Sequence, residues 1–131
     1  MERLLRFLQE AKVFYLATVE GDQPRVRPMG FIMPHGVRLY FCTNTTKPMY
    51  QQMRANPKIE LCALNGNTQF LRAAGTVVFE TDRSLKAKAL EAAPQLRQMY
   101  QADDNIFILF SFASASVTIS DLAGAKEEFA L

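Results

Sequence analysis

The fold of this chain is constrained most by its short runs of strand-forming residues. Turn signals separate these runs at near-regular intervals. The first run is apolar at nearly every position, which is typical of a strand covered on both faces or lying in a closed barrel. Turn signals at residues 20–24 and 34–36 indicate that the first three strands form an antiparallel meander. The predicted strands are residues 13–19, 25–33, 37–42, 58–64, 68–80, 105–112 and 116–122, with 126–131 as a candidate short final strand.

Helical signals interrupt this series of six or seven predicted strands. Leu4, Leu5 and Leu8 fall on one face at helical spacing, and Thr45 or Thr46 fits the N-cap of a later helix. The predicted helices are residues 2–11, a segment with Pro48 in its first turn that stops at Asn56–Pro57, residues 83–93 after a Thr81–Asp82 cap, and a short helix opened by Pro94. This alternation predicts a small β-barrel with helices at its mouth.

Two local features refine the strand prediction. Gly75 lies within the long run 68–80, where a glycine indicates a bulge or a close approach of another backbone. Residues 65–67 are a predicted turn.

Composition limits the domain count, the partners and the cellular location. The 131 residues suit a single domain, residues 1–131, and 49% hydrophobic with 21% charged residues excludes a disordered chain. Fifteen basic and 13 acidic residues give a net charge of +2 without a basic cluster, so we expect no nucleic-acid partner. Charges throughout residues 2–12 argue against a signal peptide, and no apolar stretch is long enough for a membrane span. With Cys42 and Cys62 expected as free buried thiols, a cytoplasmic protein is predicted.

The sequence lacks the usual residue patterns of protein-based catalysis. Its single histidine, His35, lies in a predicted turn, so a Ser-His-Asp site, a Cys-His site or a zinc site is not expected. The glycine-rich nucleotide motifs are missing as well. Asp82, Asp103 and Asp104 are interpreted as helix-cap or loop residues, which leaves the catalytic residues unknown. If the protein performs chemistry, a cofactor is the natural carrier.

Residues 43–47 form the best candidate for an anion site. They place hydroxyl groups and Lys47 at the point where a predicted strand ends and a predicted helix begins. The first N–H groups of a helix are unpaired and favour an anion such as a phosphate. An ordinary threonine-rich cap followed by a solvated lysine remains the alternative interpretation.

Two arginines on the second strand strengthen the anion hypothesis. Arg25 and Arg27 lie on one face at a period of two, and Pro28 indicates an edge or irregular strand beside them. The alternative is that both arginines are surface charges that balance Glu20 and Asp22. A third cation and several aromatic residues, which are either ligand-facing or core, complete the candidate set: Arg72, Phe31, Tyr40, Phe41 and Phe70.

Three segments carry these features in a fixed order. They read FYLATVEGDQPRVRPMGF (14–31), LYFCTNTTKPMYQQMRANPKIELC (39–62) and FLRAAGTVVFETD (70–82). In this order and spacing they resemble the FMN-binding split-barrel family related to pyridoxamine 5′-phosphate oxidase, over most of the chain. The resemblance implies a mainly β fold with helical insertions: a six-stranded antiparallel Greek-key split barrel that forms a homodimer with FMN at the interface.

The resemblance also assigns roles to individual residues. It implies that Arg27, Pro28 and Met29 line the flavin, that Thr43, Thr46 and Lys47 hold the phosphate, and that Gln69 and Arg72 approach the flavin, in some relatives from the partner subunit.

Two departures separate this chain from the oxidase itself. Thr46 stands where the oxidase has a basic residue, and the chain ends in KEEFAL without the oxidase's Arg-x-His pattern. The resemblance therefore favours a general flavin reductase or a protein similar to 5-nitroimidazole reductases. Such a protein is an FMN-dependent oxidoreductase that acts on a small planar substrate with a reduced nicotinamide or another electron donor.

Three alternatives keep the same fold. The protein could bind flavin without catalysis, as a carrier or sensor. It could bind haem through His35, which a Soret band would reveal. It could also be a structural dimer with an empty groove, in which case replacement of Lys47 would change nothing.

Overall fold

The computed structural model of this chain describes residues 1–66 and 68–131, which form three α-helices, one 3₁₀-helix and eight β-strands. The elements are α1 (Glu2–Ala11), β1 (Phe14–Glu20), β2 (Gln23–Met29), β3 (Met33–His35), β4 (Arg38–Asn44), α2 (Pro48–Ala55), β5 (Lys58–Asn65), β6 (Gln69–Glu80), α3 (Arg83–Ala92), the 3₁₀-helix (Pro94–Gln98), β7 (Phe107–Asp121) and β8 (Lys126–Ala130). Asn67, the last residue of the predicted turn 65–67, lies outside the described residues.

The strands form one antiparallel sheet in the order β2-β1-β5-β6-β7-β4-β3, and β8 pairs with β7. The mainly β fold with helical insertions is thus confirmed, but the described residues contain eight strands rather than six. The predicted strand 25–33 is divided between β2 and β3, which adds a strand. The two strands expected at 105–112 and 116–122 are instead a single strand of 15 residues, β7.

The expected meander of the first three strands is wrong. β1 and β2 pair as predicted, with Leu16 opposite Arg27, but β2 ends at Met29 rather than continuing to Met33. The chain then crosses to the other end of the sheet, where β4 lies between β3 and β7. Both faces of β4 are apolar and buried, so this strand needs cover on both sides, which a position beside the edge strand β2 would not give.

The main core lies between the inner face of the sheet and the helices α1 and α2. Leu4 and Leu8 of the predicted α1 face are buried in it, whereas Leu5 is only partly buried. Phe41 is fully buried, with its ring centroid 5.5 Å from that of Phe14 and 5.4 Å from that of Phe110. Burial of a side chain of this size stabilises the fold by about 1.5–3 kcal/mol.

A second cluster covers the opposite face of β4 and β7. α3 and the chain after it supply five of its seven residues, which are Met33, Tyr40, Ala89, Leu90, Tyr100, Phe107 and Leu109. Tyr40 and Phe41 are therefore core residues, while Phe31 and Phe70 are half-buried. This packing fixes the position of β4, whose C-terminal end reaches the candidate site.

The helix ends follow the sequence signals in part. Asp82 caps α3 as expected, since its carboxylate accepts a hydrogen bond of 3.0 Å from Leu85 N. α2 stops at Asn56 as predicted, but its N-cap is Lys47, in place of Thr45 or Thr46. No helix among the described residues is long and apolar enough to cross a membrane.

Candidate functional site

A cavity of about 370 Å³ lies between the end of β2, the end of β4 and the start of α2. Its lining residues are Arg27, Pro28, Met29, Cys42, Thr43, Lys47, Pro48 and Met49. The structure thus brings together five of the eight site residues predicted from the sequence, contributed by three different elements.

The edge position of β2 explains how Pro28 can form part of the wall. β2 pairs only with β1 among the described strands, and Pro28 faces Tyr15 in that ladder. Proline has no N–H to donate, so strands accept it at a sheet edge. Of the two predicted alternatives, an edge or an irregular strand, the edge position is confirmed.

Thr43 supplies an unpaired hydroxyl group in the cavity wall. The residue is 3% exposed, and its Oγ1 atom has no hydrogen-bond partner within the described part of the chain. Leaving a buried polar group unpaired costs about 1–3 kcal/mol, so buried hydroxyl groups are nearly always paired. A ligand oxygen within hydrogen-bond distance of Oγ1 would satisfy this donor.

Lys47 is the N-cap of α2 and adds a positive charge to the cavity lining, in addition to that of Arg27. It is exposed and forms no ion pair with a described residue. The first N–H groups of a helix also favour negative charge. Together with the Thr43 hydroxyl, these groups are suited to an anionic ligand.

Thr46, predicted as a phosphate ligand, is not part of the lining. Its backbone N–H and its hydroxyl both donate to Asn44 Oδ1, at 2.9 and 2.6 Å. Asn44 in turn donates to the Tyr100 hydroxyl in the second cluster. Thr46 therefore shapes the turn into α2, and its role as a ligand stays a prediction.

The guanidinium of Arg27 is held by the protein itself. It donates to Leu16 O at 3.1 Å, to Thr18 Oγ1 at 2.8 Å and to Gln52 Oε1 at 2.9 Å. Burial lowers the pKa of Arg27, although an arginine stays charged at physiological pH. Arg25 instead pairs with Glu20 at 2.9 Å, so the surface-charge interpretation holds for that arginine.

Gln69 and Arg72 do not approach the cavity within one chain. Arg72 lies on the outer face of the sheet, 2.7 Å from Glu60, and this hydrogen bond raises the pKa of Arg72. Gln69 is an exposed residue at the start of β6. Both remain candidates for contacts supplied by a partner subunit.

The two cysteines are free, as predicted, but neither is fully buried. Cys62 is exposed because the alternation of β5 places it on the outer face of the sheet. Cys42 is half-buried in the cavity lining. Burial raises the pKa of the Cys42 thiol to about 11, and the charge of Lys47 only partly opposes this effect.

Sequence reasoning missed three contributors to the site. Pro48 and Met49 line the cavity, and their position directly after Lys47 was the signal that could have identified them. Gln52 lies one turn further along α2 and holds Arg27. His35 is exposed in β3, and the described residues contain no cluster of three possible metal ligands.

Comparison with known proteins shows the family of this chain. The family model for pyridoxamine 5′-phosphate oxidase matches residues 1–120. The crystal structure of a NimC/NimA family protein from Clostridium acetobutylicum is 44% identical, with a TM-score of 0.94, and the match covers 100% of this chain and 93% of that one. The chain therefore belongs to the pyridoxamine 5′-phosphate oxidase family. No curated protein matches the sequence.

More distant structures share the fold. A pyridoxamine 5′-phosphate oxidase-related, FMN-binding protein from Nostoc punctiforme is 15% identical with a TM-score of 0.65, covering 99% of this chain and 95% of that one. A heme-binding protein from Mycobacterium smegmatis is 14% identical with a TM-score of 0.74, covering 94% and 54%. At these identities the likeness concerns the fold alone, and flavin-binding and heme-binding proteins both use it.

Proposed function

We propose that this protein binds FMN in the cavity between β2, β4 and α2, with the phosphate held by Thr43 and Lys47. The observation that carries the proposal is that the buried Thr43 hydroxyl has no hydrogen-bond partner among the described residues and lines the same cavity as Lys47, which pairs with no acidic residue in that part of the chain. A phosphate has acceptor oxygens for the hydroxyl and negative charge for the ammonium group. Pro28, Met29 and Met49 offer apolar surface for the flavin ring.

The proposal extends to an FMN-dependent oxidoreductase of the cytoplasm that acts on a small planar substrate. Bound FMN would supply the electron transfer, with a reduced nicotinamide or another donor as the source of electrons. The chain would supply binding and electrostatic tuning. Membership of the family and the 44% identity to a NimC/NimA family protein support this class of function.

A homodimer with the flavin at its interface is the second part of the proposal. The cavity of about 370 Å³ lies at the surface of a small sheet, so a second subunit would cover the ring. The outer face of the sheet exposes large apolar side chains: Tyr15 is 52%, Leu64 61% and Val26 68% exposed. Exposed apolar faces of this kind are typical of protein interfaces. In such a dimer Gln69 and Arg72 would come from the partner.

An FMN titration tests the proposed phosphate site. We expect Lys47→Ala to weaken FMN binding at least about ten-fold, which corresponds to loss of one charge-assisted hydrogen bond. Lys88→Ala is the matched control, because Lys88 is an exposed lysine of α3 outside the cavity. Equal FMN affinity in the two variants would contradict the assignment of Lys47.

Turnover separates the oxidoreductase from a flavin carrier or sensor. The FMN-loaded protein is mixed with NADH or NADPH under anaerobic conditions, and the bleaching of the flavin absorbance is followed with and without a nitroaromatic acceptor. Bleaching that the acceptor reverses supports the enzyme. Bound flavin that no donor reduces supports the carrier or sensor, and a Soret band without flavin supports the haem-binding alternative.

A further inference from the structure

A buried polar cluster joins the elements that form the two walls of the cavity. Its members are Thr18 of β1, Arg27 of β2 and Gln52 of α2, with Glu20 at its edge. Thr18 is 1% and Gln52 6% exposed, so the cluster lies within the core rather than on the surface. Polar groups in such a place must be paired to be tolerated.

Gln52 is the centre of this cluster. Its Oε1 atom accepts hydrogen bonds from Arg27 Nη2 at 2.9 Å and from Thr18 Oγ1 at 2.5 Å. Its Nε2 atom donates to Glu20 Oε2 at 3.2 Å. One side chain of α2 thus contacts residues on both β1 and β2.

The two walls need such a connection because β2 is an edge strand. It pairs with β1 on one side, and no other described strand fixes its distance from α2. The residues of β2 that line the cavity, Arg27–Met29, and those at the start of α2, Lys47–Met49, belong to separate elements. Gln52 lies one turn after Met49 on the same buried face of α2, so its bond to Arg27 spans the two.

Packing alone does not call for an amide at this position. The other buried residues of α2 are Met49 and Met53, and a third apolar side chain would continue that face. A buried amide costs free energy unless its hydrogen bonds are made. We therefore attribute the role of the Gln52 amide to its hydrogen bonds with Thr18, Glu20 and Arg27.

We infer that Gln52 is a positioning residue that sets the separation between the β2 wall and the α2 wall, and thereby the affinity for the ligand. This inference rests on the proposed binding of FMN in the cavity. Gln52 does not line the cavity and acts through Arg27 on one side and through α2 on the other. Without it, the guanidinium of Arg27 loses an acceptor and the edge strand loses its tie to α2.

The test is an FMN titration of Gln52→Met against Gln51→Met. Methionine matches the length of glutamine and suits the buried face of α2, so the change removes the hydrogen bonds with little change in volume. Gln51 is the matched control, because it is the preceding residue of the same helix and is exposed. We expect Gln52→Met to raise the Kd for FMN at least about ten-fold and Gln51→Met to change it less than about two-fold.

Thr18→Val separates positioning from general loss of stability. It removes a hydroxyl that accepts a hydrogen bond from Arg27 and donates one to Gln52, but it keeps both side chains of the Arg27–Gln52 hydrogen bond that joins β2 to α2. We expect both Thr18→Val and Gln52→Met to lower the melting temperature, whereas only Gln52→Met weakens FMN binding when measured well below that temperature. Equal weakening by the two variants would overturn the inference.

A double variant that exchanges the residues at positions 20 and 52 tests whether FMN binding is restored when the hydrogen bonds lost in Gln52→Met are replaced. Glu20→Gln combined with Gln52→Glu keeps the total charge, restores an acceptor for Arg27 and restores an amide–carboxylate pair between positions 20 and 52. We expect its FMN affinity to lie within about three-fold of the original chain. If the unmodified protein fails to bind FMN, the proposed function fails together with the inference. If it binds FMN and Gln52→Met binds equally well, the inference alone is wrong.

Discussion

The backbone of Gly75 in β6 lies directly against the carbonyl oxygen of Ser114 in β7, with no room for a side chain between them. A Cβ atom on Gly75 would collide with that oxygen and would lie 2.7 Å from Cα of Ala115. Next to this point the register shifts between Thr76 and Val77, which marks a bulge in the longest strand pair. The sequence predicted a bulge or a close backbone approach here. The close approach is confirmed at Gly75, and the bulge lies after the next residue.

Gly75→Ala is therefore expected to destabilise the protein by at least about 3 kcal/mol, since the backbone of two central strands would have to move apart. Urea denaturation measures the change. Ala74→Ser is the control, because Ala74 is exposed and should tolerate the substitution within about 0.5 kcal/mol. A stable Gly75→Ala variant would show that the strands can separate at no cost.

Thr43→Val is expected to leave the stability of the ligand-free protein unchanged or higher, but to lower its affinity for FMN. Valine replaces the buried, unpaired hydroxyl with a methyl group, so the ligand-free protein should be unchanged or more stable, by up to about 2 kcal/mol. FMN binding should weaken at the same time, because the donor to the phosphate is lost. Thermal denaturation and FMN titration measure the two effects.

Thr45→Val is the comparison for that variant. The Thr45 hydroxyl already donates to Asn105 O at 3.2 Å, so its removal should lower stability slightly and leave FMN affinity unchanged. Destabilisation of the ligand-free protein by Thr43→Val would indicate that the protein itself satisfies the Thr43 hydroxyl.

The ionised carboxylate of Asp104 is expected to stabilise the folded protein, and this stabilisation is lost at acid pH. Its carboxylate accepts hydrogen bonds from the backbone N–H groups of Gln101, Ile106 and Phe107 at 2.8, 3.0 and 2.8 Å. Burial raises the pKa of this carboxyl, but the N–H donors and the nearby charge of Lys86 outweigh it, so the pKa is lowered in the folded state. The resulting stabilisation is present above the unfolded pKa of about 4 and is lost as the pH falls through the folded value.

Asp104→Asn should destabilise the protein by about 1–3 kcal/mol at neutral pH, since it removes an acceptor and leaves the buried Lys86 without its carboxylate. The difference from the original chain should shrink as the pH falls below about 4. Urea denaturation across this pH range measures it, with the exposed neighbour Asp103→Asn as control. A difference that does not vary with pH would rule out this ionic contribution.

Thiol labelling tests the proposed homodimer. Cys62 and Leu64 lie on the same outer face of β5, so a second subunit on that face would cover both. In a Cys42→Ser background, Cys62 should react slowly at micromolar concentration and faster after Leu64→Glu, which places a charge in the interface. The melting temperature of the Leu64→Glu variant controls for unfolding. Equally fast reaction of Cys62 in both proteins would contradict a dimer through this face.

Local signals predicted the elements well but not their partners. The Leu4–Leu8 face of α1, the stop at Asn56 and the Asp82 cap depend on neighbours within a few residues, and the sequence displays those. Residues 113–115, which the sequence analysis leaves between two predicted strands, lie within β7. The pairing shows that Ala113 is the extra residue opposite Thr76 and Val77, so the strand continues through a bulge.

The spacing of residues along the sequence does not predict the tertiary contacts of the site. The partner of β4 is β7, more than sixty residues away, whereas a short turn alone suggested β2. The donors of Arg27 are occupied by Thr18 and Gln52, which come together only when α2 packs on β1. Sequence reasoning therefore located the cavity but did not show that Arg27 is tied to the protein while Thr43 is unpaired.

The absorption spectrum of the purified protein, recorded after incubation with FMN and desalting, is the direct test of flavin binding. We expect the original chain to retain the bands of oxidised flavin and the variants Lys47→Ala and Thr43→Val to show weaker bands. A colourless protein that retains no FMN, with its fold intact by circular dichroism, would contradict flavin binding at this cavity.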